Sequence, residues 1–140
     1  MKVMNADLGK TVVLKIESGE DLLTGIAEGA KEAGILNGII LNGIGSITKY
    51  HLHVVETPNL PPGNIFWRDT GPFDVDLING FIIDGRVHAH VAVSNEEATF
   101  GGHLEPGCEV LTFCVVTVAE AVDADFSQAD TYVGQQPRNG

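Results

Sequence analysis

Hydrophobic and polar residues alternate from Thr11 to Glu17, with Val12, Leu14 and Ile16 on one face and Val13, Lys15 and Glu17 on the other. That period of two predicts a half-buried strand. Ser18-Gly19-Glu20-Asp21 follows, a Ser-x-x-Asp helix start in which Ser18 is placed to cap the Asp21 N–H. Leu22, Leu23, Ile26, Ala27, Ala30 and Ala33 then recur at helical spacing, and Gly34 is placed to end the helix. No other segment predicts a helix so clearly.

Beyond Gly34 the pattern becomes that of strands. Gly38 to Ile44 is a short apolar run, and Thr48 to Glu56 alternates again, with His51, His53 and Val55 opposite Tyr50, Leu52 and Val54. Thr57 to Pro72 contains Pro58, Pro61, Pro62 and Pro72 and predicts a long loop. Phe73–Ile83 and Arg86–Ser94 predict a hairpin, because Asp84-Gly85 between two apolar runs is a strong turn signal. Asn95 to Ala98 predicts another turn, and Glu105-Pro106-Gly107 opens a last strand from Cys108 to Glu120. One helix and about six strands predict an α+β domain with a largely antiparallel sheet over residues 1–120. Residues 121–140 are polar and predict a loosely held tail. The last strand is apolar on both faces, and burying both in so small a domain predicts that subunits cover one another.

Composition narrows the classes of function. The chain has 140 residues, of which 19 are acidic and eight basic, for a net charge of −11. Affinity for nucleic-acid phosphates comes from clustered Lys and Arg, so direct DNA binding is disfavoured, as is docking on anionic lipid. No apolar stretch approaches a membrane span and the first ten residues lack a signal-peptide core. Cys108 and Cys114 would stand roughly 20 Å apart on one extended strand, beyond disulfide reach. Reduced thiols in the cytoplasm are the expectation.

The five histidines fall as His51-x-His53, His88-x-His90 and His103 in Gly101-Gly102-His103-Leu104. Residues i and i+2 of a strand share a face about 6.6 Å apart. Two imidazoles so placed can converge on one ion, with a third ligand arriving from a turn that Gly101 and Gly102 would allow to bend. Three histidines with an open fourth position suit a divalent metal, zinc foremost, and an enzyme built on them would do metal-assisted hydrolysis or hydration. No residue stands out as a general base. The plainer reading is of histidines hydrogen-bonded on strand faces. His88 and His90 make the better pair because they lie in the hairpin preceding His103. His51 and His53 are possible additional ligands, or the wet side of their strand.

Gly43-Ile44-Gly45-Ser46 resembles the start of a phosphate loop but lacks the lysine and helix, so a tight turn is the expectation. Trp67 and Arg68 either line a pocket or anchor the proline-rich loop. With Gly101 and Gly102, Ser46 and Arg68 are the candidate pocket residues.

The order helix, Gly-Ile-Gly-Ser (43–46), Gly-Pro-Phe-Asp-Val (71–75), His-Ala-His (88–90) and Gly-Gly-His-Leu (101–104) before a last apolar strand resembles the plants-and-prokaryotes conserved (PPC) domain. The resemblance runs from about Thr11 to Glu120. It implies an α+β homotrimer with a metal site, zinc by preference, at His88, His90 and His103. Plant members bind A·T-rich DNA through an Arg-Gly-Arg-Pro hook beside the domain, and this chain has none. Two expectations follow. One is a homotrimeric metal-binding domain with a pocket for a small, anionic or carbonyl-bearing ligand. The other is a DNA-associated regulatory module acting through protein partners.

Overall fold

Asp84 and Gly85 have positive φ values of 49° and 79°, the backbone that a two-residue hairpin turn requires. They join β3 (Asn64–Ile83) to β4 (Arg86–Ser94), as the pattern predicts. The computed structural model describes residues 1–136 and Arg138. Its other elements are β1 (Asp7–Glu17), α1 (Leu22–Glu32), β2 (Gly38–Val55), β5 (Thr99–Leu104) and β6 (Val110–Val122). All pairings are antiparallel, in the order β1-β6-β2-β3-β4-β5. β2 is long enough to pair with β6 along its first half and with β5 through Leu52 and His53. β2, β3, β4 and β5 therefore close into a ring.

Helix α1 lays Leu22, Ile26 and Ala30 against the sheet, where they join Ile16, Val110, Val116 and Val118 in one core. Its cap is Asp21 rather than Ser18. The Asp21 Oδ1 accepts the Thr24 N–H at 2.9 Å, and Oδ2 accepts that of Gly107 at 2.7 Å, tying the helix start to the turn before β6.

Four further expectations are corrected. The loop after β2 ends at Gly63, because residues 64–72 form the first part of β3, with Gly71-Pro72 opposite Thr48 where the register shifts. The Gly-Ile-Gly-Ser segment lies inside β2 rather than at a turn, since a Cβ on Gly45 would fall 2.2 Å from the Phe113 carbonyl oxygen. Gly101-Gly102 lies within β5 rather than in a turn. The segment after Val122 is also not loose in its first part: Phe126 is 4% exposed and packs with Ile83 and Ala121, edge-on to Phe81.

Candidate metal centre

Strand register assembles the histidines. In the β4–β5 ladder His90 is opposite His103, and in the β2–β5 ladder His53 is opposite His103. His88 sits two residues before His90 on the same face. One row thus crosses three strands, and directly opposed side chains lie within contact distance. Ring centroids are 4.6 Å apart for His88–His103, 5.4 Å for His90–His103 and 4.3 Å for the stacked His53–His103 pair. One ring nitrogen from each of His88, His90 and His103 lies within 4.8 Å of the others, and His53, His103 and Glu105 form a second such trio.

The two glycines make this convergence possible by their missing side chains. A Cβ on Gly101 would lie 2.3 Å from the Val91 carbonyl oxygen, and one on Gly102 would lie 2.7 Å from that of His53. Only bare backbone lets β5 approach both β4 and β2 so closely.

The electrostatics favour neutral rings at His90 and His103, with lone pairs to give. Burial, then the positive charge that His53, His88, His90 and Arg86 would place beside it, lowers the His103 pKa to about 4. Burial and the neighbouring His88 and His53 likewise lower that of His90. His88 is held from behind, its Nδ1 lying 2.8 Å from the Asp130 Oδ2. An ionised carboxylate only accepts, so Nδ1 is the donor and Nε2 is the nitrogen left to bind an ion. That is the carboxylate–histidine arrangement by which proteins orient metal ligands.

Asp130 also meets the Nη2 atoms of Arg86 and Arg138, each at 2.9 Å. Burial opposes its ionisation, but these partners and His88 together hold its pKa at about 2. Its second oxygen, Oδ1, is buried with no hydrogen-bond partner among the described residues. His53 is oriented in the same manner, its Nδ1 being 2.6 Å from Glu105 Oε1.

The four converging histidines open onto a cavity of about 800 Å³ whose other walls include Arg86, Asp130 and the apolar Ile39, Val54 and Phe81. Of the expected site residues, His88, His90 and His103 come together, and His53 joins them. His51 does not: its Nδ1 donates to the Pro106 carbonyl 2.7 Å away. Ser46 lies outside the cavity, its hydroxyl bonded to that of Thr112 at 2.5 Å. Arg68 is exposed on β3 opposite His51, also outside the cavity, while Trp67 packs against the core.

Sequence reasoning missed Arg86, Glu105 and Asp130. Arg86 had a signal, since Arg86, His88 and His90 alternate on one strand face. Asp130 had none, because nothing local marks which strand a polar tail will cross.

The chain matches the Plants and Prokaryotes Conserved (PCC) domain family over residues 4–122. Among solved structures, a plant- and prokaryote-conserved (PPC) protein of Pyrococcus horikoshii superposes with a TM-score of 0.78 at 28% identity, covering 99% of this chain and 100% of that one. A metal-containing protein of Archaeoglobus fulgidus gives 0.74 at 26% identity over 86% and 85% of the two chains. Among curated proteins, the bifunctional protein GlmU of Synechococcus sp. (strain JA-3-3Ab) is 24% identical over 116 residues, 82% of this chain. The chain spans only 18% of that relative's length.

Proposed function

Because the chain belongs to the Plants and Prokaryotes Conserved (PCC) domain family, we propose that it is a metal-holding member of that family, a homotrimer in which each copy keeps one divalent ion on His88, His90 and His103. The observation that carries this reading is the convergence of three ring nitrogens within 4.8 Å, one of the rings being fixed from behind by a carboxylate. The donor set fits such an ion: His90 and His103 are held neutral, and a trio of imidazoles suits zinc with one position left open. Likeness to the metal-containing archaeal protein supports it further. A bound zinc would supply a Lewis acid and lower the pKa of water in its open position. The chain's own part is to aim the rings, hold those of His90 and His103 neutral and line the cavity.

Trimer formation is proposed from the outer face of the sheet. Ile44, Leu111 and Phe113 line one shallow depression there, and they are 58%, 39% and 42% exposed. Large apolar side chains exposed together in this way, here beside Asp74 and Asp76, are what subunits cover.

Elemental analysis of protein purified without a nickel column tests the metal site. One divalent ion per chain, lost in both His88→Ala and His103→Ala, is the expected result, and metal-free native protein would reject the reading. Light scattering at micromolar concentration should give three times the chain's 14.9 kDa. A monomeric mass would remove the trimer.

A further inference from the structure

The cavity has a charge opposite to that of the molecule. The chain carries 19 acids and eight bases, and its only arginines are Arg68, Arg86 and Arg138. Two of those three line the histidine cavity, against a single acid, Asp130. That lining is net positive, before any metal, on a chain of −11. Each guanidinium meets Asp130 through one nitrogen, Nη2. A guanidinium has five N–H donors in a rigid fork, so Arg86 keeps donors outside that ion pair. The lining also includes hydrocarbon: Ile39, Val54 and Phe81.

We propose that the cavity binds a small organic carboxylate, its anionic end on the free fork of Arg86 and its hydrocarbon part against Phe81, Ile39 and Val54. Planar guanidinium and planar carboxylate pair through two parallel hydrogen bonds. The apolar wall rewards a hydrocarbon body, which inorganic anions lack. The proposal rests on the metal reading only for what a second polar group of the ligand would meet; the carboxylate anchor is Arg86.

The experiment compares 4-methylpentanoate with its isosteric amide, 4-methylpentanamide, and with inorganic phosphate, by calorimetry and amide NMR shifts. It is run on chelator-treated protein and again with zinc restored. The variants are Arg86→Gln and Arg68→Gln, which change the net charge equally, but Arg68 lies outside the cavity. The expected result is a preference of about tenfold or more for the carboxylate over the amide, as for loss of a charge-assisted hydrogen bond. That preference should vanish in Arg86→Gln and persist in Arg68→Gln, with shifts mapping to β4 and β5. Should Arg86→Gln fail to fold, the carboxylate–amide comparison and the shift map on native protein decide. Equal binding of acid and amide, tighter binding of phosphate, or equal weakening by both variants overturns the proposal. Carboxylate binding that needs zinc and ignores Arg86→Gln overturns it too, leaving the metal reading intact. An Arg86-dependent preference in protein that never takes up zinc upholds it while the metal reading fails.

Discussion

Replacing Asp130 by Asn tests whether the tail holds the metal centre in shape. The substitution keeps the side chain's size but removes its charge and puts an N–H₂ where one acceptor oxygen stood. In the native protein one oxygen, Oδ2, faces three nitrogens: His88 Nδ1 at 2.8 Å and the two arginine Nη2 atoms at 2.9 Å. The amide cannot serve all three, so the ring of His88 loses its fixed orientation. Loss of a carboxylate behind a ligating histidine weakens metal binding by about 10–100-fold, or roughly 1.4–2.7 kcal/mol. The effect on stability is smaller. Arg86 and Arg138 have side chains 41% and 44% exposed, so water takes over much of their solvation and less than about 1 kcal/mol is expected. Zinc affinity is measured by competition with a chromophoric chelator near neutral pH, alongside thermal melts. Asp130 is ionised there, because its folded pKa lies below the ordinary 3.8; the stability it contributes is present above that value and is lost only as pH falls toward about 2. Asp125→Asn is the control, since that carboxylate accepts the Ser127 N–H within the same segment and touches no histidine. Unchanged zinc affinity in Asp130→Asn, or an equal loss in Asp125→Asn, would refute the reasoning.

Gly80 has φ of +145°, and a Cβ there would lie 2.1 Å from the His88 carbonyl oxygen, so Gly80→Ala should cost about 3 kcal/mol in urea denaturation; an unshifted midpoint would contradict the β3–β4 contact. Burial raises Cys108 and Cys114 to about 11 from an ordinary 9.0, so both thiols should resist a thiol-specific disulfide reagent until the protein unfolds. The stability they contribute as neutral groups is present below pH 9 and is lost as pH climbs toward 11, visible as a falling denaturation midpoint. His103, lowered to about 4 from 6.5, acts in the other direction: in metal-free protein its contribution is present above pH 6.5 and is lost as pH falls toward 4, which urea melts across that range would reveal. A mobility-shift assay on A·T-rich duplex at ~150 mM salt should show no retardation if the charge of −11 governs the encounter, and a salt-resistant complex would contradict that.

What could be read from the sequence was whatever one segment decides for itself. Helix α1 follows from its apolar spacing, the β3–β4 hairpin from Asp84-Gly85, and the His88–His90 pair from the period of a strand. The misread segments were those whose conformation depends on a neighbour. Gly43-Ile44-Gly45 and Gly101-Gly102 read as turns by composition, yet both are strand interiors, where another backbone passes too close for a Cβ on Gly45, Gly101 or Gly102 and the Ile78 side chain fills the place of one on Gly43. Pro72 reads as loop, yet it sits in β3 at the place where the ladder with β2 slips and no regular pairing is required of it.

The candidate site divides along the same line. Within-strand alternation puts His51 and His53 on one face but cannot say which of them β5 will reach. The closure of β5 onto β2 at Leu52 and His53 decides it, placing His53 against His103 and leaving His51 to the Pro106 carbonyl. Asp130 comes from still further away, through a tail whose anchor, Phe126, is a single buried aromatic in a polar stretch. The ring closure therefore does two things at once. It brings three strands' histidines into one row, and it opens beside them a cavity that the tail then walls with Asp130. A change that loosened the β2–β5 contact, as a side chain on Gly102 would, should therefore disturb His53, His103 and the cavity together rather than one ligand at a time.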